Sequence, residues 1–455
     1  MNHISRVLVA NRGEIAVRII RACKDLGIEA VAAVSEADRE SLAAKIADRA
    51  VCIGPARALD SYLRIDTLVT AALGTGSDAI HPGYGFLAEQ PELAEACEEN
   101  GVIFIGPPPG SLREMGNKLM ARQIAGGCGV STIPGSEKVK DFQEAAAVAE
   151  KMGFPVLLKA AAGGGGRGIT IAANPNDLET VFDMVSAEVH AAFGDGTLFV
   201  EHYIPNARHV EVQIVADRLG NVRHLGERDC SIQRRYQKVI EEAPSPVVPA
   251  ELREQLCAAA VTVAETIGYE SAGTVEFILD QDSGQFFFLE MNTRIQVEHP
   301  VTEQISGVDL VKEQIRIAGG EPVSFSQEEV TLNGHAVECR INAECAEAGF
   351  RPSPGRIERW QPPQGANIRV DSHCYSGYII PPYYDSLIAK LITWGNDRAE
   401  ALEWMQYALD NFIVRGVETT IPFLSSVIRN PDYVSGKINT RWLENLLARQ
   451  GVGTR

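Results

Sequence analysis

Residues 274–300 read TVEFILDQDSGQFFFLEMNTRIQVEHP, and their pattern decides how the middle of the chain folds. Two apolar-rich runs, Thr274–Asp280 and Gln285–Asn292, predict two strands. The residues Asp282-Ser283-Gly284 between them are favourable for a turn. The stretch therefore predicts an antiparallel hairpin.

Acidic side chains stand on both strands of this hairpin. An odd-length loop or a bulge would place Glu276 nearly opposite Glu290, and strand alternation puts Asn292 on the same face as Glu290. Phe286 and Phe288 share the parity of Glu290, so we expect that face to be buried. Buried carboxylates need a cation, and two carboxylates with an amide oxygen suit Mg²⁺. A solvated strand face is the alternative.

The polar residues continue past the hairpin. If the chain stays extended, the side chains of Glu290, Asn292, Arg294, Gln296 and Glu298 all point the same way. Five polar groups on one buried face would be costly without a ligand. We interpret them as a metal–nucleotide site that merges into an anion site, where Arg294 grips a small anion and Glu298 takes a proton. A strip of surface salt bridges is the alternative interpretation.

The first hundred residues alternate short apolar runs with helical periodicity. The runs Val7–Ala10 and Ala30–Val34 flank a helical pattern from Ile15 to Leu26. This rhythm predicts a parallel sheet with helices on both faces. The first loop lacks the pattern G-x-G-x-x-G, so we do not expect a nicotinamide enzyme. Farther on, one helix is predicted from about Leu112 to Ala125.

A glycine run follows Lys159. Residues 163–168 read GGGGRG and join the strand candidates Pro155–Ala160 and Ile169–Ala172. Backbone N–H groups of such a loop can close over phosphate oxygens, and Lys159 adds a positive charge. A mobile surface loop is the alternative. The pattern G-K-[ST] is absent, so a Walker-type nucleotide site is not expected.

Composition excludes several classes of protein. The 455 residues suggest two to four domains, and 42 Lys+Arg against 60 Asp+Glu give a formal net charge of −18. No apolar run approaches the roughly 20 residues of a membrane span. No basic excess exists to bind nucleic acid. The nine cysteines form no C-x-x-C pair, which disfavours a zinc site or a disulfide framework. We expect a cytoplasmic enzyme without a signal peptide.

Five segments together resemble the biotin carboxylases of the ATP-grasp superfamily. They are Ala10–Ala16, His81–Leu87, Lys159 with Gly163–Gly168, Glu227–Arg235 and Glu290–Pro300. The resemblance continues through residues 339–344, 352–355 and 381–386, so it covers nearly the whole chain. The chain departs from the family pattern at Asn117, Ile169, Tyr236 and Cys345.

The resemblance implies a fold and a reaction. The expected fold is multidomain, α/β and α+β: a Rossmann-like parallel-sheet domain over residues 1–112, an ATP-grasp domain over 113–330 and an α+β domain over 331–455. Residues from about 132 to 203 would form a mobile lid. In the expected reaction, bicarbonate attacks the γ-phosphoryl group of MgATP and gives carboxyphosphate, whose CO₂ carboxylates a ureido nitrogen of biotin.

The resemblance also implies roles for individual residues. The residues expected to hold the nucleotide phosphates are Lys118, Lys159, Gly164, Gly165 and Gly166. Those expected around the adenine and ribose are Glu201, Tyr203, Ile204, His209, Gln233, Tyr236 and Ile278. The expected ligands of Mg²⁺ or Mn²⁺ are Glu276, Glu290 and Asn292. The residues expected around bicarbonate are Lys238, Arg294, Gln296 and Val297, with Glu298 as the general base. Arg340 would stabilise the biotin enolate, and Tyr84 would contact biotin.

The expected partners follow from the same resemblance. The chain has no Met-Lys-Met biotin-attachment motif, so biotin would arrive on a separate carrier protein and a separate carboxyltransferase would use the product. A homodimer is expected, most often within an acetyl-CoA carboxylase of fatty acid biosynthesis, although pyruvate or another acyl-CoA is a possible acceptor. The alternatives are another ATP-grasp ligase that joins a carboxylate to an amine, and a non-catalytic nucleotide-sensing protein.

Overall fold

The computed structural model describes residues 3–160, 169–193 and 196–451. The first part of the chain forms a parallel five-stranded sheet of order β3-β2-β1-β4-β5, as the alternating pattern predicts. Its elements are β1 (Arg6–Val9), α1 (Gly13–Asp25), β2 (Glu29–Val34), α2 (Leu42–Ile46), β3 (Arg49–Cys52), α3 (Ile65–Thr75), β4 (Ala79–His81), α4 (Pro91–Glu99) and β5 (Ile103–Phe104).

Both faces of this sheet are covered. Val7 and Val9 of β1 lie in one apolar cluster, with Ile15 and Ile19 of α1, while Leu8 lies in a second cluster on the opposite face. Successive side chains of a strand point to opposite faces, and here all three are fully buried. Burial on both faces explains why β1 reads as a continuous apolar run.

The next part of the chain carries a smaller antiparallel sheet of order β6-β9-β7-β8. Two helices, α7 and α8, pack on it and share its apolar core. The elements are α5 (Pro109–Gly116), α6 (Lys118–Gly127), β6 (Gly135–Val139), α7 (Phe142–Met152), β7 (Val156–Ala160), β8 (Ile169–Ala172), α8 (Pro175–Phe193) and β9 (Leu198–His202).

The single helix predicted over residues 112–125 is wrong. The structure has two helices, α5 and α6, which break at Asn117. The backbone of Asn117 is extended, at φ −97° and ψ 108°, and its side-chain oxygen accepts hydrogen bonds from the N–H groups of Leu119 and Met120. A short polar side chain that caps a new helix competes with continuation of the old one, and apolar spacing does not reveal that competition.

The largest sheet has eight strands in the order β14-β13-β10-β11-β12-β15-β22-β20. It runs across residue 330, because β15 pairs with β12 over four residues. The elements before that point are β10 (Ala207–Ala216), β11 (Val222–Arg234), β12 (Gln237–Ala243), α9 (Ala250–Thr266), β13 (Ser271–Asp280), β14 (Phe286–Asn292), α10 (His299–Ser306) and α11 (Leu310–Ala318).

The last part of the chain completes this sheet and adds short strand pairs and helices. An apolar cluster that includes Ile388 of β22, Met405 of α12 and Leu424 of α13 holds it together. Its elements are β15 (His335–Asn342), β16 (Glu344–Cys345), β17 (Arg351–Pro352), β18 (Gly355–Arg356), β19 (Arg359–Gln361), β20 (Ile368–Ser372), β21 (Ile379–Ile380), β22 (Leu387–Gly395), α12 (Arg398–Asp410), β23 (Ile413–Arg415), α13 (Ile421–Ile428), α14 (Pro431–Val434) and α15 (Trp442–Arg449). Within the described ranges, every helix is too short or too polar to cross a lipid bilayer.

A bulge in the β13–β14 hairpin separates its apolar and acidic faces. Glu276 pairs with Glu290, as the sequence predicts, but Phe277 pairs with Phe288, so Leu289 is the extra residue. Phe277 and Phe288 therefore lie in the apolar core, opposite the carboxylates. The expectation that Phe288 and Glu290 share a face is wrong, because a bulge shifts strand parity by one residue.

Replacing Asn117 with Ala should lower the free energy of unfolding by about 1 kcal/mol, because two N–H groups of α6 lose their acceptor. Urea denaturation measures the change. Asn117→Asp is the matched control and should retain the stability, because an aspartate oxygen accepts the same hydrogen bonds. Equal losses in the two variants would contradict the capping role.

Candidate active site

Three buried carboxylates and one largely buried ammonium group meet at the centre of the eight-stranded sheet. The Nζ atom of Lys238 lies 2.5 Å from a carboxylate oxygen of Glu211, 2.9 Å from one of Glu276 and 2.6 Å from one of Glu298. Glu211 on β10 is directly opposite Glu276 on β13, and Lys238 projects from β12. Sheet register therefore brings together residues that are far apart in the chain.

The charges of this cluster are balanced by two arginines. Arg228, fully buried on β11, donates to Glu211 at 2.6 Å. Arg340 on β15 donates through Nε to Glu241 at 2.6 Å and through a terminal nitrogen to Glu298 at 2.9 Å. Each carboxylate of the cluster thus has a cation, which removes most of the cost of burying it.

Glu298 is ionised in this setting. Burial favours its neutral form, but the positive charges of Lys238, Arg340 and Arg228 outweigh burial and lower the pKa of Glu298. Glu298 is fully buried and lies at the start of α10. An ionised carboxylate beside two cations can accept a proton from an anion bound to those cations.

The segment after β14 is not an extended strip. The strand ends at Asn292, and residues 293–298 turn before α10 begins at His299. The polar residues nevertheless converge, because Arg294 donates to the side-chain oxygens of Asn292 at 2.9 Å and Gln296 at 3.2 Å. Gln296 in turn donates to Glu276 at 3.0 Å. The predicted grouping of the side chains holds, but hydrogen bonds around a turn produce it rather than strand alternation.

Glu89 belongs to this site and was not predicted. It comes from the N-terminal sheet domain, and its carboxylate accepts from Arg294 Nε at 2.8 Å and from the N–H of Thr293 at 3.2 Å. No local pattern marks Glu89, because its partners lie about 200 residues later in the chain. The nearest signal is its position two residues after the segment His81–Leu87.

Glu276, Glu290 and Asn292 form an acidic pair with an amide beside it. Glu276 is held by Lys238 and accepts from Asn292 Nδ2 at 2.8 Å. Among the described residues, none donates a hydrogen bond to Glu290 or forms an ion pair with it. Burial, and then the negative charge of Glu276, raise the pKa of Glu290. A carboxylate that forms no ion pair among the described residues and stands beside a second carboxylate fits a divalent cation with oxygen ligands.

A second set of possible ligands lies next to this one. Ligand atoms of His209, Glu211 and Glu276 lie within 4.8 Å of one another. Lys238 already neutralises both carboxylates, and His209 Nε2 lies 2.9 Å from Glu276. Burial opposes protonation of His209, but Glu276 outweighs burial and raises its pKa. This set is a closed ion-pair network, so Glu290 is the better place for a metal.

Three cations, Lys118 and Arg122 of α6 and Lys159 of β7, lie near one another. Lys159 is buried on β7, and both Lys159 and Arg122 contact the carboxylate of Glu201 on β9. Burial, and then the positive charges of Lys118 and Arg122, lower the pKa of Lys159 to about 7. One carboxylate does not balance three cations, so the group attracts a polyanion such as a triphosphate. The predicted phosphate contacts Gly164, Gly165 and Gly166 lie outside the described residues.

The residues expected around a nucleoside lie along neighbouring strands. Gln233 of β11 and the Nδ1 atom of His209 on β10 are 2.8 Å apart, and Ile278 of β13 pairs with His209. Tyr203 and Ile204 directly follow β9, whose Glu201 faces Lys159. His209, Gln233 and Ile278 thus lie on three adjacent strands of the eight-stranded sheet, while Tyr203 and Ile204 follow a strand of the smaller sheet.

Tyr236 lies at the tip of the β11–β12 hairpin. Both residues of its turn have positive φ, 51° for Arg235 and 63° for Tyr236, which is the geometry of a tight two-residue hairpin. The ring is 43% exposed, so it is free to meet a ligand that approaches from outside the sheet.

Tyr84 and Val297 are linked through two buried charges. The hydroxyl of Tyr84 donates to Glu14, which lies 3.2 Å from Lys390 Nζ. Lys390 also donates to the backbone carbonyl of Val297 at 2.8 Å. The N-terminal sheet domain thereby holds the turn that carries Arg294 and Glu298.

Three family models match the chain. The model described as "Biotin carboxylase, N-terminal domain" matches residues 3–112, and "Biotin carboxylase C-terminal domain" matches residues 338–445. Between them, the model described as "Carbamoyl-phosphate synthase L chain, ATP binding domain" matches residues 117–325. The matches together cover most of the chain.

Individual proteins are similar over almost their full length. Biotin carboxylase 1 of Bacillus subtilis is 52% identical over 97% of this chain and 98% of its own length. The small subunit of 2-oxoglutarate carboxylase from Hydrogenobacter thermophilus is 51% identical over 96% of this chain and 93% of its own length.

Solved structures share the fold closely. The biotin carboxylase domain dimer of Hydrogenobacter thermophilus 2-oxoglutarate carboxylase, in complex with MgADP, ADP and bicarbonate, superposes with a TM-score of 0.95. It is 51% identical and covers 98% of both chains. Pyruvate carboxylase from Rhizobium etli is 43% identical, with a TM-score of 0.92, over 98% of this chain and 40% of its own.

Replacing Lys238 with Met should lower the free energy of unfolding by about 3–5 kcal/mol, because three buried carboxylates lose their shared cation. Urea denaturation at neutral pH measures the loss. Adding Glu211→Gln should recover part of it, since one buried charge is removed. Lys312→Met is the control, because Lys312 forms a surface pair worth about 0–1 kcal/mol. A loss in K238M no larger than this control would contradict the central role of Lys238.

Proposed function

The chain belongs to the biotin carboxylase family of ATP-grasp enzymes, and on that premise we propose how its site carries out the reaction of the family, the ATP- and bicarbonate-dependent carboxylation of biotin. The observation that carries the proposal is the placement of ionised Glu298 between Lys238 and Arg340. A base between two cations suits a reaction in which an anion must lose a proton while it is held.

The nucleotide is held by cations on one side and by acidic residues on the other. The phosphates are bound by Lys118, Lys159 and the glycine loop. The nucleoside binds beside the residues expected around it, which are Tyr203, Ile204, Ile278, His209, Gln233 and Tyr236. Glu276, Glu290 and Asn292 would hold Mg²⁺ or Mn²⁺, which neutralises charge on the transferring phosphoryl group. Catalysis of this step is mainly positioning and charge stabilisation.

Bicarbonate binds between Lys238, Arg294, Gln296 and the backbone of Val297. Glu298 removes the bicarbonate proton, and the resulting oxygen nucleophile attacks the γ-phosphoryl group, so that ADP leaves and carboxyphosphate forms. Glu89 accepts a hydrogen bond from Nε of Arg294, and the two terminal nitrogens of Arg294 face Asn292 and Gln296 in the site. Glu89 is therefore a positioning residue for the anion.

The second half of the reaction transfers CO₂ to biotin, and it takes place next to Glu298. Carboxyphosphate breaks down to CO₂ and phosphate. The phosphate takes the proton of a ureido N–H group of biotin, and that nitrogen attacks the CO₂. Arg340, which contacts Glu298, stabilises the enolate form of the ureido group, and Tyr84 contacts the ring. Both half-steps thereby take place beside Lys238 and Arg340, the two cations that contact Glu298.

The chain works as three parts: residues 1–112, residues 113–330 and residues 331–455. The sheet β6-β9-β7-β8 and its helices lie within residues 132–203, and they act as a lid over the nucleotide. A lid that closes over ATP excludes water and protects carboxyphosphate from hydrolysis.

The enzyme acts as a homodimer on biotin attached to a separate carrier protein, and a separate carboxyltransferase consumes the product. The support for the homodimer is that the similar biotin carboxylase domain from Hydrogenobacter thermophilus is a dimer. The final acceptor in this proposal is acetyl-CoA. The similarity to pyruvate carboxylase and to 2-oxoglutarate carboxylase leaves pyruvate and 2-oxoglutarate as the alternative acceptors.

ATP hydrolysis by the purified chain should require bicarbonate and increase with free biotin. A biotinylated carrier supplied as a separate chain should take up label from bicarbonate. Coupled ADP release and label transfer measure both activities. Hydrolysis that is independent of bicarbonate would favour a different ATP-grasp ligase, and tight ATP binding without turnover would favour a nucleotide sensor.

Glu298→Gln should leave ATP affinity unchanged and slow bicarbonate-dependent turnover by about 10²–10⁴-fold, because the amide cannot take the proton. Fluorescence titration with a nucleotide analogue and steady-state ADP release measure the two quantities. Glu227→Gln is the matched control, since Glu227 is equally buried but pairs with Arg253 away from the cluster. Unchanged turnover in E298Q would refute the role of Glu298 as base.

A further inference from the structure

Two buried carboxyl groups lie behind Arg340. Glu338 of β15 is directly opposite Glu241 of β12, and both are fully buried. Side chains of directly opposite residues project from the same face of a sheet, with Cβ atoms about 4.5–5.5 Å apart. Helix α10 covers this face, since Val301 packs with Ala336 of β15.

The hydrogen bonds of these two groups are incomplete. Glu241 accepts from Arg340 through Oε1, whereas its Oε2 has no partner among the described residues. Both carboxyl oxygens of Glu338 are buried, and no donor within the described ranges reaches either of them. An ionised carboxylate in that position would cost several kcal/mol.

The charged groups around Glu338 do not supply a cation. Lys390 on β22 is engaged by the carbonyl of Val297 and by Glu14. Arg340 on β15 is engaged by Glu241 and Glu298, and both of these carboxylates face Glu338. Two carboxyl groups that share one arginine are stable when one of them carries a proton.

We propose that Glu338 is a neutral carboxylic acid that donates its proton to Oε2 of Glu241 and thereby positions Arg340 against Glu298. The hydrogen bond fills the free acceptor of Glu241 and keeps its other oxygen on Arg340 Nε. Glu338 is a positioning residue, since it acts on the reaction through Glu241 and Arg340. This inference rests on the proposed role of Arg340 in binding biotin.

The direction of the pKa values agrees with this geometry. Burial, followed by repulsion from Glu241 and Glu298, raises the pKa of Glu338 against the attraction of Lys390 and Arg340. Burial also raises the pKa of Glu241 to about 7, although Arg340 lowers it. A raised pKa in the folded state makes Glu338 stabilising at acid pH, and that contribution is lost as pH rises above 4.5, the ordinary pKa of a glutamate.

Two substitutions distinguish the contribution of the hydrogen-bond donor of Glu338 from that of the size of its side chain. Glu338→Gln keeps an N–H donor for Glu241, whereas Glu338→Leu removes it. E338L should lose about tenfold or more in kcat/KM for biotin, which corresponds to one hydrogen bond to a charged group. E338Q should recover most of that loss. Nucleotide affinity should match the wild type in both, because the phosphate-binding cations lie on β7 and α6.

The pH dependence distinguishes positioning from a purely structural role. Biotin-dependent turnover of the wild type should fall as the pH becomes alkaline, because Glu338 and Glu241 lose their shared proton and the two carboxylates then repel each other. The alkaline fall should move to higher pH in E338Q, which cannot ionise. The stability of E338Q relative to the wild type should likewise grow as pH rises above 4.5.

Infrared spectroscopy tests the proton directly. The wild type at neutral pH should show a C=O stretching band from protonated Glu338, and the difference spectrum between the wild type and E338Q should show the loss of that one band. Glu227→Gln is the matched control and should keep the band, because Glu227 lies outside the Glu338–Glu241 pair and accepts two hydrogen bonds from Arg253.

The outcomes that overturn the inference are distinct from failure of the proposed function. A difference spectrum in which E338Q loses no carboxylic acid band relative to the wild type, or E338Q as impaired as E338L, would overturn it. If E338L does not fold, two measurements on E338Q still test the inference. They are the loss of the infrared band of protonated Glu338 and the shift of the alkaline fall in turnover to higher pH. Wild-type protein without biotin-dependent turnover would refute the proposed function, whereas the infrared comparison would still decide the protonation state of Glu338.

Discussion

Buried negative charge is the constraint on which the centre of this molecule depends. Glu211, Glu276 and Glu298 are almost completely removed from water, and one ammonium group, that of Lys238, lies between them. Arg228 and Arg340 complete the balance from neighbouring strands. Because each cation serves more than one carboxylate, a shift of one strand would leave several charges unpaired at once. The catalytic groups and the stability of the sheet therefore rest on the same contacts.

Two backbone features aim the side chains of this network. The bulge at Leu289 places Phe288 in the apolar core and leaves Glu290 on the opposite face, beside Glu276. The end of β14 at Asn292 lets the next residues turn, so that Arg294 and Gln296 reach back to the strands. An extended strand would have kept Asn292, Arg294 and Gln296 on one face but spread them along its length. The site is thus built by departures from regular structure, as is common where function requires convergence.

Local patterns predicted much of the fold. Alternation and apolar periodicity were sufficient for the parallel sheet of the first hundred residues and for the pairing of Glu276 with Glu290. They failed at Asn117, where a capping side chain splits one expected helix into two. They also failed for residues 293–298, because alternation assumes a strand and the chain turns there. Each failure has a local cause that outweighs the average preference of the segment.

The sequence shows which kinds of chemical group the site contains, but it does not show which of these groups lie close together in space. The kinds of groups needed to bind a metal, a triphosphate and a small anion stand in short segments, and those segments suffice to recognise the family. Only the tertiary structure brings together groups from segments 27 to 205 residues apart. Examples are Glu89 beside Arg294, Glu241 opposite Glu338, and Lys238 among three carboxylates. The physical reason is that sheet order and register set these distances, and both depend on packing across the whole chain rather than on any neighbouring residue.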